Sequence, residues 1–203
     1  MDNLTYEMKT QLYNHYFLEL EELLNEYHNY KNKISVGNRI GLMKDGKRAK
    51  SLVLGVRSPM FVHKRKDKSL NPHLTKHTQT PIGFKIYELC YTIISMVYPR
   101  FDFNQIIINF NSEFLIHKDS RNKDPDSVIF SVGNHEGGGL HIYDDDKNLK
   151  DTIRIWKNPI KFAGKNIYHS TQEYTGNRWC IVAYRIKTNK HYEPYEKKII
   201  DYS

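Results

Sequence analysis

The sequence predicts a mainly β domain, a sandwich or barrel, with helices flanking it. Two observations carry this. After Arg100, seven short β-rich runs follow one another, each bounded by turn residues, at 105–110, 113–117, 127–132, 139–143, 152–156, 165–170 and 178–186. Strands at that spacing, with no helical pattern between them, belong to sandwiches and barrels rather than to βαβ units. Before Arg100 the period is helical instead.

From Thr5 to about Tyr30, Met8, Leu12, Tyr16, Leu20, Leu23, Leu24 and Tyr27 recur at steps of three and four, with Glu19, Glu21, Glu22 and Glu26 on other faces. That is an amphipathic helix with a face to bury. Gly37, Gly41 and Gly46 make 37–50 a loop. Residues 51–56 (SLVLGV) read as a short strand, and 58–81, with Pro59, Pro72 and Pro81, as an irregular excursion. A second helix begins after Pro81 and stops near Pro99. The expected organisation is a helical N-terminal region over 1–100 that packs on a core at 101–186, then a polar tail at 187–203.

Hydrophobic residues at 39% and charged residues at 27% are ordinary for a globular protein. No apolar run approaches the roughly 20 residues that cross a bilayer, and no signal peptide is evident, so a soluble, intracellular protein is expected. Cys90 and Cys180 form no metal-ligand pattern, which suits a reducing compartment. Frequent Asn, Lys, Ile and Tyr suggest an AT-rich genome, and with it a viral protein acting in a host cell. The net charge of +8 is uneven. Segment 44–68 holds nine basic residues, among them Lys64, Arg65 and Lys66, against Asp45 and Asp67, a net +7. Either a solvated surface or a polyanion such as nucleic acid accounts for that density.

The chemistry concentrates after residue 116. His117 and Asp119 are two apart on an expected strand, so both point to one side and can converge on one ion. His169, ending another strand, offers a third donor. Two histidines and one carboxylate leave open positions and suit non-haem Fe(II). Nine residues later, Arg178 opens the strand RWCIVAYR and can fork onto a carboxylate. A tight Gly137-Gly138-Gly139 turn runs into Leu140 between the two halves. His135 and His141 read as an ordinary turn and strand histidine, and Trp156 and Trp179 as core residues. Arg185 reads as structural or substrate-facing.

The order H-x-D, GGxL, a distant His and then G-x-R resembles the Fe(II)/2-oxoglutarate dioxygenase superfamily. The runs HKDSRNKDPDSVIFSVGNHEGGGLHIY and FAGKNIYHSTQEYTGNRWCIVAYR are similar to its thymine-hydroxylase and methylcytosine-oxidase branch, the J-binding and ten-eleven-translocation type. The resemblance spans roughly residues 104–185 and implies a double-stranded β-helix, or jelly roll. It further implies iron on His117, Asp119 and His169, and 2-oxoglutarate anchored by Arg178, with dioxygen as oxidant and ascorbate as an auxiliary reductant. A second cosubstrate contact would come from Asn109 or Asn111, since the tyrosine of many relatives is absent there. Asn122, after the H-x-D, together with Lys64, Arg65 and Lys66, would face substrate. A pyrimidine methyl group in DNA or RNA is the first expectation for that substrate, and a prolyl or lysyl side chain the alternative.

Overall fold

The computed structural model describes residues 6–31, 35–36, 42–47, 49–58 and 73–188. Two helices lead the chain's regular structure, α1 (Tyr6–Lys31) and α2 (Pro81–Val97). Helix α2 starts where it does because Thr80 caps it, its hydroxyl accepting from the Gly83 N–H at 3.2 Å. Pro81 then sits where no helical N–H is needed.

The main sheet has six antiparallel strands in the order β1 (Ser35–Val36), β2 (Lys50–Gly55), β3 (Gln105–Phe110), β11 (Trp179–Tyr184), β4 (Ser127–Val132) and β8 (Ile160–Phe162). Facing it are a three-stranded sheet, β7 (Leu149–Ile153), β6 (Leu140–Tyr143) and β9 (His169–Thr171), and a hairpin-like pair, β5 (His135–Gly137) with β10 (Tyr174–Gly176). This is a jelly roll backed by helices.

Strand pleating separates two cores, because successive side chains point to opposite faces. Ile106, Ile108, Phe130, Val132, Trp179 and Ile181 face outward and join Phe17, Leu20 and Leu24 of α1 and Ile86, Cys90 and Ile93 of α2 in the larger cluster. Their neighbours Ile129, Cys180 and Val182 face inward, toward Leu140, Ile155 and Phe162. Strands β3 and β4 are therefore covered on both sides, which is why their sequences are continuous rather than alternating.

Both helices and the strands at 105–110 and 127–132 lie where the sequence places them. Run 113–117 differs. It makes only single bridges, Phe114 to Met43 and His117 to His169, and is no named strand. The short strands β5, β8 and β10 are additional, three residues each and too short for a period to show. In α1 the buried face centres on Phe17, Leu20, Leu24 and Tyr27, while Met8 is 49% exposed. Trp179 is buried as expected, but Trp156 is 37% exposed. No described helix is long and apolar enough to cross a membrane.

Phe130 is fully buried, with its ring edge-on to Phe17 at 5.7 Å between centroids. Phe130→Ala should lower unfolding free energy by about 3–5 kcal/mol in urea titration. The exposed Leu18→Ala should change it by less than about 0.5 kcal/mol.

Candidate active site

His117 and His169, 52 positions apart in the sequence, are backbone partners: the N–H of each donates to the carbonyl of the other, at 3.0 and 2.9 Å. That double bond fixes both Cα positions. The rings are fixed separately. Nδ1 of His117 lies 2.7 Å from the Leu115 carbonyl, and Nδ1 of His169 lies 2.9 Å from that of Ile167. A carbonyl only accepts, so in the neutral rings each Nδ1 carries the proton and each Nε2 presents a lone pair.

Both lone pairs meet Asp119. Its two carboxylate oxygens lie 3.8 Å from Nε2 of His117 and 3.8 Å from Nε2 of His169, and the three donor atoms fit within 4.8 Å. Asp119 is held in turn by its N–H donating to the Gly164 carbonyl at 2.9 Å. Two neutral imidazoles and a carboxylate on one side of a point match a divalent ion that keeps open positions.

Behind the triad a cavity is floored by the inner face of the main sheet, and strand register sorts that floor into rows. Nearest the triad are Tyr184 and, beside it, Asn122, whose amide donates to Ser127 Oγ at 3.2 Å. The next row is apolar, with Ile107, Val182 and Ile129 in register. Beyond it lie Asn109 and Cys180, with Ser131 in register beside Cys180 but outside the cavity's lining. Burial pushes the Cys180 thiol up, against the opposing pull of the Arg178 cation, so it stays protonated.

Arg178 lies one step further, past the cavity's lining. Only 2% of it is exposed, and its Nε has no hydrogen-bond partner. Its guanidinium carbon sits 5.2 Å from the ring centroid of Tyr174, whose phenol burial pushes up to about 12. No carboxylate among the described residues pairs with it. Arg185 points elsewhere, onto Asp102 at 2.5 Å.

The two asparagines separate. Asn109 lines the cavity, where its carbonyl oxygen accepts from Ser51 Oγ at 2.7 Å. Asn111 has φ of 41° and is a backbone clip: its Oδ1 accepts from the Arg178 N–H at 2.8 Å and its amide donates to Asn177 at 3.0 Å. Of the basic segment, Lys44 bridges Glu113 at 3.5 Å and Glu173 more closely, while Lys47 meets Asp45 at 3.7 Å. Lys64, Arg65 and Lys66 lie outside the described residues.

The sequence reading takes His135 for an ordinary turn histidine and does not single out Ser131. Ser131 is fully buried on the inner face, 3.2 Å from His135 Nε2. A serine inside an otherwise apolar run, one pleat from a cysteine across the register, is the signal that could have found it.

No family model matches the chain, and no curated protein does. Solved structures do. A Trichoplax adhaerens prolyl hydroxylase, in complex with a peptide fragment of the hypoxia inducible factor oxygen degradation domain, superposes with a TM-score of 0.51 at 12% identity, over 94% of this chain and 81% of that one. The fold is shared with that hydroxylase. A Pseudomonas putida prolyl-4-hydroxylase gives 0.48 at 9% identity, over 88% of each chain. A Burkholderia pseudomallei oxidoreductase of the 2OG-Fe(II) oxygenase family gives 0.47 at 13%, over 85% of this chain and 88% of that one.

Gly138 has φ of 72°, and a Cβ there would stand 2.7 Å from Arg178 Nε and 2.8 Å from its Cδ. Gly138→Ala should therefore destabilise the fold by at least about 1–2 kcal/mol from the left-handed backbone alone, and more through the displaced guanidinium. Thermal unfolding against Gly46→Ala, which has equal backbone strain (φ of 66°) and open space around it, isolates the second part.

Proposed function

We propose that this chain is an Fe(II)- and 2-oxoglutarate-dependent dioxygenase that hydroxylates a C–H bond, with a nucleobase methyl group in DNA or RNA as substrate. The observation that carries the reaction class is a pairing of two sites. A three-donor metal constellation lies at one end of a cavity, and beyond the other lies a buried guanidinium without a carboxylate partner among the described residues. A buried cation is strongly disfavoured unless an anion compensates it. A short dicarboxylate that chelates the metal at one end and meets Arg178 at the other satisfies both.

His117, Asp119 and His169 would hold the iron. Bound there with 2-oxoglutarate and dioxygen, it supplies the oxidising power for hydroxylation, with succinate and carbon dioxide as coproducts. The chain's own work is placement. Backbone carbonyls keep each Nε2 aimed at the ion, the row of Ile107, Val182 and Ile129 lines the cosubstrate's methylenes and excludes water, and Arg178 sets its reach. Asn109, in register with Cys180 and on the cavity, would supply a second polar contact. Asn122, at the triad's end, would face substrate.

Two features support the nucleobase. One is the charge of segment 44–68. The other is where that segment joins the fold. Tyr184, which lines the cavity, donates to Gln105 at 2.5 Å, and Gln105 donates to the Val56 carbonyl at 2.7 Å, one residue before Arg57. The Arg57 N–H in turn bonds the His73 carbonyl at 2.7 Å.

Asp119→Ala should abolish Fe(II)-dependent formation of succinate from 2-oxoglutarate and leave the far-UV circular dichroism unchanged. Arg178→Lys keeps the charge and loses the fork, so apparent affinity for 2-oxoglutarate should fall by about 1.5–3 kcal/mol, roughly 10- to 150-fold. Arg185→Lys should do much less. Wild-type succinate formation in Asp119→Ala, or the reverse order of the arginines, rejects the assignment.

Substrate class is read by salt. Each duplex phosphate neutralised contributes about −0.9 to the slope of log affinity against log salt. Replacing Lys64, Arg65 and Lys66 together by Gln should therefore reduce that slope by about two to three units on oligonucleotides. Mass spectrometry should find one added oxygen on the base. If no oligonucleotide binds at low salt, the nucleobase reading fails and a prolyl or lysyl peptide substrate takes its place.

A further inference from the structure

We infer that His135, acting through Ser131, is a proton-linked positioning residue for the distal carboxylate of the cosubstrate. The inference rests on the cosubstrate reading above and adds a residue that it did not contain.

The hydrogen-bond directions are forced. His135 Nδ1 lies 3.1 Å from the Gly137 carbonyl, which can only accept, so Nδ1 carries a proton. In the neutral ring Nε2 is then bare, and its partner at 3.2 Å, Ser131 Oγ, must donate to it. Ser131 is fully buried and shares the inner face with Cys180, its partner in register, one step from Arg178. With its proton committed to His135, the serine turns only lone pairs toward the interior, which repel a carboxylate. Protonation of His135 reverses the chain. Nε2–H now donates to Ser131 Oγ, and the hydroxyl proton becomes free to meet the ligand.

Arg178 governs when this happens. Burial, and then the Arg178 cation, hold the His135 imidazole below its ordinary pKa of 6.5. The Gly137 carbonyl, accepting from Nδ1, works in the opposite direction. Tyr174, edge-on at 6.1 Å between centroids, stays neutral, as does Cys180. Glu136 and Arg154 share the open recess on the ring's outer side and carry opposite charges. A carboxylate bound to Arg178 cancels the main repulsive charge and adds an attractive one, so the bound-state pKa rises. Affinity is therefore fully present below the free-state value and falls as pH climbs to the bound-state value. Between the two, one proton is taken up per ligand, and affinity changes by about tenfold per pH unit.

The test is calorimetric titration of the Fe(II)-loaded protein with 2-oxoglutarate, without oxygen, at several pH values and in two buffers of different ionisation heat. The wild type should take up a fraction of a proton approaching one inside the window. His135→Gln keeps an N–H donor toward Ser131 at every pH, so its binding should stay tight and lose the pH dependence. His135→Leu removes the acceptor and leaves the Ser131 hydroxyl proton free for the ligand, so its binding should likewise lose the pH dependence. As an internal check that needs no variant, the His135 imidazole resonance of the wild type should titrate at higher pH once 2-oxoglutarate is added. Proton uptake that persists unchanged in both variants, or an imidazole midpoint that ligand does not move, overturns this inference while leaving the cosubstrate site standing. No binding of 2-oxoglutarate by wild type at any pH overturns the site itself and this inference with it.

Discussion

One buried positive charge sets much of the local design. Arg178 is 2% exposed with no carboxylate paired to it among the described residues, a situation a folded chain tolerates only with help. Several neighbours are intelligible as that help. Asn111 takes a left-handed backbone to bind the arginine's N–H, Gly138 gives up a side chain so that the guanidinium can pass, and Tyr174 offers a ring face. His135 is held neutral next to it. None of these touches the metal donors, yet each is arranged around where an anion would lie.

The layering makes the site possible at all. Each central strand turns one set of side chains to the helices and the other to the cavity, so Trp179 and Ile181 stabilise while Arg178, Cys180 and Val182 furnish the interior. Stability and chemistry occupy alternate positions of one hexapeptide. The helices seal the back of that sheet, which lets the cavity open on the opposite side without exposing the larger core.

How much of this was legible follows from the range of each signal. His117 and Asp119 could be read because their spacing is short-range, although the run that His117 ends is no named strand, and Arg178 because it opens a clear β run. Both helices carried a long period, and α2 also a cap in Thr80 and prolines at 81 and 99. Run 113–117 alternates well but is held by single bridges to distant residues, and no local pattern reports how many rungs a ladder has. Strands of three residues are likewise invisible to periodicity. Ser131 and His135 matter only because Cys180 stands opposite one and Arg178 beside the other, relations created by register and not by the neighbouring letters. Asn109 and Asn111 look alike in sequence, and only the pleat and the positive φ tell the cavity residue from the clip.

The place of β11 has a consequence for assembly. It is the last of the described strands in chain order, yet it sits between β3 and β4 in the middle of the main sheet, and its first residue bonds Asn25 of α1 across 154 positions. Until that strand arrives, β3 and β4 have no partner on their facing edges, and the apolar faces meant for both layers stand open. Such a chain closes through long loops and at high contact order, which makes folding slow and leaves a synthesis intermediate exposed to aggregation. During translation the keystone leaves the ribosome after every other described strand, and a polypeptide stalled anywhere before residue 179 would leave a sheet split down its centre.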